Sequence, residues 1–393
     1  MTIALRGMAW DHPRARNPLE AISADWARDR GVSVQWDARA LKDFEDQPLE
    51  ELATAYDLIL IDHPFVATAA KSGLIAPVDD WADARYLREQ ALRSVGPSYA
   101  SYSWDGKQWA LAIDAACQVS AVRNDLWSWC TVESGPLPDT WAEVVHLAEA
   151  LHAAPSKVAV PLNDNHAYCA FLSVGVSVAG HRFWRPGQPP DRVAARHSLE
   201  LLRRLATHVH PMSREADPIA ISERMACSDE VLYVPLMFGY SSYARRGFRT
   251  NLLHFGNAPA GPSGVRGTVL GGVGLALSAR CAHRELTADL ARHIASADVQ
   301  RGIYASSGGQ PGHATAWESS EVNARTAQFF LATRPTIDDA CVRPRVSGHR
   351  RFQPLAGALI HRFIWTRDGS ADACLQEYER LAGELLADWR ESP

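Results

Sequence analysis

The stretch WDGKQWALAIDAACQVSAVRNDLW, residues 104–127, decides the fold that this sequence predicts. Asp105-Gly106 is a turn signal between two apolar stretches, and residues 109–122 read as one long extended segment. Successive side chains of a strand point to opposite faces, so Asp114 and Cys117 lie on different faces unless a bulge intervenes. The stretch therefore predicts a long strand with a carboxylate on one face and a thiol on the other.

Strand and helix patterns alternate on the amino-terminal side of this strand. Short apolar strands are predicted at residues 2–6, 32–36 and 57–61, with helical apolar spacing between them at residues 17–29 and 49–55. Such alternation favours a parallel sheet covered by helices on both faces. The predicted fold class is therefore α/β.

Polar or aromatic residues directly follow each of these predicted strands. In open parallel sheets, ligands bind beyond the carboxyl ends of the strands. The residues at those ends are Trp10, Asp11 and His12 after the first strand, Asp37 after the second, and Asp62 and His63 after the third. By residue type, the two Asp-His pairs suit ligand contact, acid–base chemistry or metal ligation. No spacing rule supports a metal, so none is predicted, and a structural turn next to the following proline is the alternative.

Further elements are indicated on the carboxyl-terminal side of the long strand. Thr140 has the position and chemistry of an N-cap for a helix at residues 141–152. Residues 158–162 read as another strand, and residues 191–207 as a helix after a loop rich in Pro and Gly.

Four segments, taken in order, resemble the extracellular solute-binding proteins of family 1, the sugar-type branch that serves ABC importers. They are DGKQWALAIDAACQVSAVRNDLW at 105–127, similar to the strand that crosses between the lobes; LPDTWAEVVHLAEAL at 137–151, similar to the family's P-x-T-W-D-E helix; GTVLGGVGLALSA at 267–279, similar to the second crossing; and ADLARHIASADVQRGIYASSGGQPGH at 288–313, similar to a helix and the loop after it. The sequence departs from the pattern at Ala112, where the family has Pro, and lacks its leader.

The resemblance implies a type II periplasmic-binding-protein fold, with two discontinuous lobes joined by a hinge and a ligand cleft between them. Lobe one would hold residues 1–112 and 267–316, and lobe two residues 113–266 and 317–393. The implied function is the binding of a small polar compound, such as a sugar or an organic acid, by hinge closure.

The resemblance also places five residues at the expected cleft. Asp114 would accept hydrogen bonds from the ligand, or else tie down the hinge. Tyr240 would stack on the ligand, or else pack within its loop, and Gly272 would permit a close approach of the backbone. Gln310 and His313 would reach the ligand from a flexible loop.

Cys117 separates a second class of function from the first. The thiaminase-type enzymes share the bilobal fold and resemble this chain in placing a nucleophilic Cys on the same crossing strand. A thiolate beside a His or Asp base would make the chain a cytosolic enzyme. The alternative is that Cys117 is a buried thiol that behaves as a small apolar side chain.

Composition narrows the partners of the chain. The net charge of −5 gives no electrostatic case for nucleic acid. A local group of basic residues, Arg343, Arg345, Arg350 and Arg351, is predicted to form a solvated face. No apolar run reaches the roughly 18 residues that span a membrane. We expect a small-molecule ligand and no cofactor.

Cysteine usage and the amino terminus bear on localisation. The seven cysteines are scattered and form no CxxC pair, which argues against a disulfide framework or a zinc site. The first residues, MTIALRGMAWDHPR, show no cationic start followed by an apolar stretch. We therefore expect a cytoplasmic protein, or a periplasmic one if a signal peptide was removed, and an ABC permease as partner only if it is exported.

Overall fold

The long strand predicted from residues 109–122 joins two sheets in the computed structural model, which describes residues 3–39, 49–128, 136–366 and 369–389. The strands of the described residues are β1 Ala4–Trp10, β2 Ser33–Arg39, β3 Leu58–Ile61, β4 Ile75–Ala76, β5 Ser103–Trp104, β6 Lys107–Gln108, β7 Leu111–Val122, β8 Lys157–Val158, β9 Val231–Phe238, β10 His254–Gly256 and β11 Leu270–Ser278. The predicted long strand is therefore confirmed as β7.

The helices surround these strands. In the described residues they are α1 Pro13–Arg30, α2 Leu49–Ala55, α3 Val66–Lys71, α4 Ala84–Arg93, α5 Ser98–Ser101, α6 Asn124–Trp127, α7 Trp141–Ala150, α8 Asp164–Ala179, α9 Arg192–Ala206, α10 Pro218–Cys227, α11 Arg284–Ala295, α12 Ala297–Val299, α13 Ala314–Glu318, α14 Ser320–Arg325, α15 Phe329–Asp338, α16 His349–Trp365 and α17 Ala371–Leu385. Among them, none is both long and apolar enough to cross a membrane.

The first sheet has the strand order β2-β1-β3-β11-β7. β1 pairs in parallel with β2 and β3, whereas β11 runs antiparallel to both β3 and β7. Every residue of β3, Leu58–Ile61, is buried because helices cover both faces of the sheet. We call this sheet and its helices the first lobe.

The second sheet begins where β7 leaves β11. Gln118 and the residues after it pair with β9 and β10, and β9 pairs in parallel with β8. A large apolar core lies between this sheet and α7, α8, α9, α16 and α17. We call this sheet and its helices the second lobe. All twelve residues of β7 are buried because both lobes cover it.

Local sequence explains where several elements begin. Thr140 forms the predicted cap of α7, with a reciprocal hydrogen bond from the cap backbone to Glu143. The first strand extends to Trp10 rather than ending near Arg6, because the helix after it begins only at Pro13, with His12 as its N-cap. The strand expected at residues 158–162 is reduced to Lys157–Val158.

Candidate ligand-binding cleft

A cleft of about 770 Å³, part of it open to solvent, lies where β7 and β11 pass between the two lobes. Its walls come from the ends of β1 and β3, the start of α1 and α8, and the segment around Arg343. The lining residues are Trp10, Arg14, Asp62, Asp114, Ala116, Asn165, His166, Cys169, Asp217, Pro218, Ile219, Phe238, Tyr240, Gly271, Gly272, Val273 and Arg343.

The floor of the cleft is formed by β7 and β11. Asp114 and Ala116, two residues apart on β7, both line it, as strand alternation requires. Gly272 lies opposite on β11 with a φ of +102°, and a Cβ there would lie 2.3 Å from the carbonyl oxygen of Asp114. Only glycine fits this close pairing of the two strands.

A buried ion pair joins α1 to β7 at one end of the cleft. The Nε of Arg14 donates to Asp114 Oδ2 at 2.8 Å, and its Nη2 donates to Asp114 Oδ1. Burial opposes the charge on Arg14, but the Asp114 carboxylate outweighs that effect and raises the pKa of the guanidinium. Burial raises the pKa of Asp114, and the charge and hydrogen bonds of Arg14 oppose that rise. The two side chains meet in the bidentate geometry that suits Arg and carboxylate.

The same arginine reaches across to the second lobe. Its Nη1 donates to the carbonyl oxygen of Gly239 at 3.2 Å, and its guanidinium carbon lies 4.8 Å from the ring centre of Tyr240. Both residues follow β9 directly. Arg14 thus connects the helix after the first strand with the loop after β9.

A second ion pair closes the other end of the cleft. Nη2 of Arg343 lies 2.8 Å from Asp62 Oδ2, and the two side chains are 6% and 17% exposed. Burial alone would raise the pKa of Asp62, but the Arg343 guanidinium and His63 outweigh it and hold this pKa well below its usual range. Asp62 follows β3 of the first lobe, whereas Arg343 precedes α16 of the second.

Arg343 is also the start of a chain of polar groups. Its Nη1 donates to Gln353 Oε1 at 3.1 Å, and Gln353 donates in turn to Asn165 Oδ1. Its Nε is buried and has no hydrogen-bond partner among the described residues. Arg343 thus lines the cleft with one donor that the described residues leave unsatisfied.

His166 presents a neutral imidazole to the cleft. Its Nδ1 lies 2.8 Å from Asn163 Oδ1, which also accepts from the His166 backbone N–H, so Nδ1 carries the hydrogen and Nε2 is an acceptor. Burial lowers the pKa of His166 to about 4.

The sequence-predicted site residues divide into two groups. Trp10, Asp62, Asp114, Tyr240 and Gly272 line the cleft, whereas the other five do not. Direct ligand contact by the first group remains a prediction. The residues outside the cleft lining are Asp11, His12, His63, Gln310 and His313.

Asp11 and His12 serve the start of α1 rather than the cleft. The Asp11 side chain is 58% exposed and lies 3.2 Å from Arg16. The ring Nδ1 of His12 accepts from the Arg14 backbone N–H at 3.1 Å, and the ring packs edge-on to Tyr240 at 5.1 Å. Burial, with help from Arg14, lowers the pKa of His12 to about 4.

His63 is fully buried and positions its neighbours. Its Nε2 accepts from the Arg343 backbone N–H at 3.3 Å, so the hydrogen is on Nδ1, which lies 3.1 Å from Asp62 Oδ1. Burial lowers its pKa to about 4. The imidazole therefore supports the Asp62–Arg343 pair instead of meeting a ligand.

Gln310 and His313 are structural in this geometry, contrary to expectation. Gln310 is fully buried and donates to the carbonyl oxygens of Ala115 and Gly239, while its Oε1 accepts from Ser241 N–H at 2.9 Å. The side-chain amide of Gln310 therefore forms its hydrogen bonds with backbone groups, through both the NH2 group and Oε1. His313 is the N-cap of α13, and its Nδ1 lies 2.9 Å from the Thr315 hydroxyl.

Cys117 lies on the face of β7 away from the cleft. Its side chain is in the apolar core beside α10 and α15 and is 3% exposed. Burial raises the pKa of its thiol, so the nucleophilic thiolate is disfavoured. This placement favours the buried-thiol alternative over the enzyme hypothesis.

Several cleft residues were missed by sequence reasoning. Arg343, expected on a solvated face, is 6% exposed, and that prediction was wrong because Asp62 and Gln353 neutralise and bind it. Arg14 could have been predicted from the sequence, because it lies in the first turn of a helix that directly follows a strand end. Asn165, His166 and Asp217 lie at the starts of α8 and α10, which carried no such signal.

Metal ligation, one reading of the Asp-His pairs, has no support in this geometry. Within residues 3–39, 49–128, 136–366 and 369–389, no group of three or more His, Cys, Asp or Glu side chains could hold a metal ion.

Comparison with known proteins agrees with this architecture. A search of the curated proteins finds no match. The chain is similar to maltose-bound MalE3 of T. maritima, with 16% identity over 98% of this chain and 100% of the other and a TM-score of 0.83. It is also similar to an ABC-transporter solute-binding protein of Agrobacterium radiobacter in complex with ribitol, with 17% identity over 98% of each chain and a TM-score of 0.80.

A third structure with the same fold is an ABC-transporter solute-binding protein of Agrobacterium vitis with bound D-mannitol. It has 14% identity over 98% of this chain and 99% of the other, and a TM-score of 0.76. At the level of family, the profile described as bacterial extracellular solute-binding protein matches residues 21–330, well over half of the chain. The two-lobed fold, the cleft and this match together establish that the chain belongs to the bacterial extracellular solute-binding proteins.

Proposed function

We propose that the cleft binds one small, neutral, polyhydroxylated solute, a sugar or a polyol. The main support for a neutral ligand is the balance of positive and negative charges among the side chains that line the cleft. Arg14 and Arg343 are each matched by a carboxylate, and Asp217 adds a third carboxylate that would repel an anion. An organic acid is therefore the weaker candidate.

The remaining lining groups suit hydroxyls. The buried Nε of Arg343 is a donor without a partner among the described residues, and Nε2 of His166 is an acceptor. Trp10, Phe238 and Tyr240 add apolar ring surface, on which the carbon face of a sugar packs. Alternating hydroxyls and C–H groups match this mixture of polar and aromatic contacts. Maltose, ribitol and D-mannitol, bound by the similar structures, have this chemistry.

We also propose that the two lobes close on the solute. The cleft ion pairs and Arg14 connect the lobes, so a ligand between them would favour the closed arrangement by its added contacts. The lobe boundaries, 1–112 with 267–316 and 113–266 with 317–393, remain a proposal that limited proteolysis at the crossings tests.

The same proposal extends to localisation. The family is extracellular, which supports export and a permease partner for this chain. Fractionation of cells that express the native gene decides the point. Recovery in the periplasmic fraction would overturn the cytoplasmic expectation.

Isothermal titration tests the ligand class directly. We expect 1:1 binding of at least one of maltose, ribitol, D-mannitol and tagatose, and weaker or no binding of the charged sugar acid gluconate. Loss of the ring in Trp10→Ala should weaken binding by roughly tenfold. Trp104→Ala, which removes a ring outside the cleft lining, is the matched control. Gluconate binding tighter than all four neutral compounds would refute the neutral-ligand proposal.

A further inference from the structure

A second pocket lies outside the cleft and has a strongly basic lining. It has a volume of about 450 Å³ and is formed by Arg245, the segment around Arg301 and Gly302, and α14 with Glu321 and Arg325. The lining thus contains three arginines and one glutamate. None of these residues belongs to the ligand-binding cleft.

Arg245 forms no ion pair with a carboxylate of residues 3–39, 49–128, 136–366 or 369–389. Its Nη2 donates to the carbonyl oxygen of Ala305 at 2.6 Å, and its Nε is buried without a hydrogen-bond partner among the described residues. Burial, with repulsion from Arg325, lowers its pKa. A buried cationic donor of this kind is costly unless an anion joins it.

The other two arginines have exposed partners and can turn toward an incoming anion. Arg301 lies 3.1 Å from Asp298, and Arg325 lies 2.8 Å from Glu321. All four side chains are more than half exposed. Exposed pairs of this kind contribute little to stability, so exchanging a carboxylate for a bound anion costs little.

The backbone leaves room for a ligand between these side chains. Residues Gln300–Tyr304 form a π-helical turn, a rare conformation that is frequent at functional sites. A Cβ placed on Gly302 in that turn would meet no atom within 4 Å. Open space therefore lies at Gly302, which lines the same pocket as Arg245 and Arg301.

We propose that this pocket binds a small tetrahedral oxyanion, inorganic phosphate or the phosphate of a monoester. Guanidinium forks match the oxygens of phosphate bidentately, and three arginines line this one pocket. The Nε of Arg245 gains the acceptor that the protein does not provide. The proposal is independent of the solute bound in the cleft.

Isothermal titration of the full chain with sodium phosphate, in a buffer free of other oxyanions, tests the proposal. We expect saturable binding, and a rise in Tm with phosphate but not with sodium chloride at equal ionic strength. A parallel titration with glycerol phosphate separates the two sources, because tighter binding than phosphate assigns the site to a monoester.

Two variants locate the site. Arg301→Gln with Arg325→Gln removes two exposed guanidiniums and should weaken phosphate binding about tenfold or more, with cleft ligand binding unchanged. Arg380→Gln removes an equally exposed arginine on α17 and should leave phosphate binding intact. Equal Tm shifts with phosphate and chloride, or equal losses in both variants, would overturn the proposal.

Discussion

At the scale of single residues, the cleft is organised by two ion pairs with unlike surroundings. The Arg14–Asp114 pair is almost completely buried, with side chains 4% and 0% exposed, whereas Asp62 of the second pair keeps some solvent contact. A buried pair contributes little net stability, but the loss of one partner leaves an uncompensated charge in the interior. The Arg14–Asp114 pair therefore fixes the shape of the cleft floor. Removing either partner alone should strongly destabilise the folded chain.

Asp114→Asn tests this role with little change of side-chain volume. Because Arg14 would remain buried and charged without a carboxylate, we expect the free energy of unfolding to fall by about 3–5 kcal/mol. Urea denaturation measures the change. Asp25→Asn, which removes the exposed partner of Arg28, should cost under about 1 kcal/mol. Equal losses in the two variants would contradict the account.

Three buried imidazoles predict how stability depends on pH. Burial lowers the pKa of His12, His63 and His166 to about 4 in the folded chain. The unfolded chain binds protons on these rings near pH 6.5, so it binds more protons than the folded chain between about pH 6.5 and 4. Stability is therefore full above pH 6.5 and falls on acidification, by roughly 2 kcal/mol per ring down to pH 5.

Urea denaturation at pH 7.5 and pH 5 measures this loss. His166→Gln removes one of the rings and should reduce the difference between the two conditions. A chain that is equally stable, or more stable, at pH 5 would show that these histidines are not buried in their neutral form.

Residue roles were only partly predictable from sequence. Trp10 and Asp62 were found because strand ends mark the cleft edge, and a strand end is readable locally. Gln310 was misjudged because its partners, the Ala115 and Gly239 carbonyls, are distant in sequence. Arg343 was misjudged for the same reason, since its charge is balanced by Asp62, 281 residues away.

At the scale of elements, β7 is the strand that connects the two lobes. Its first half pairs with β11 and its second half with β9, so one strand belongs to both sheets. The sequence predicted this strand and its alternation, which places Asp114 toward the cleft and Cys117 toward the apolar core. It did not predict the register shift between Val273 and Gly274 of β11, because such irregularities depend on the partner strand.

Alkylation tests the placement of Cys117 on the face of β7 away from the cleft. Cys227 is exposed, whereas Cys117 is buried with a raised thiol pKa. We expect iodoacetamide to modify Cys227 readily in the native protein and Cys117 only after unfolding. Peptide mass mapping of the wild type, with Cys227→Ser as control, gives the order of reaction. Faster modification of Cys117 than of Cys227 would revive the enzyme hypothesis.

At the scale of the whole molecule, polar contacts around the cleft join the two lobes. Arg343 with Asp62, and Arg14 with the loop after β9, both pair one lobe with the other. Arg345 adds hydrogen bonds to the Ala100 and Ser103 carbonyl oxygens. Hydrogen bonds and ion pairs of this kind can be exchanged for contacts with water or a ligand when lobes move.

The overall fold was predictable because it rests on the order of elements rather than on individual contacts. The βα alternation before residue 62 and the two crossing segments were each readable locally. How the lobes face each other was not readable, because it depends on Arg345 and other side chains whose partners lie far away along the chain.

Small-angle X-ray scattering with and without a neutral ligand tests whether the two lobes close on a bound solute. The ligand used is the one of the four sugars and polyols that binds most tightly in the titrations. The control is the Trp10→Ala variant at the same ligand concentration. A compact chain of this length has a radius of gyration of about 21 Å. We predict that the ligand reduces the radius in the wild type and changes it less in Trp10→Ala. A radius that stays constant while titration shows the wild type to be saturated would contradict binding by closure of the two lobes.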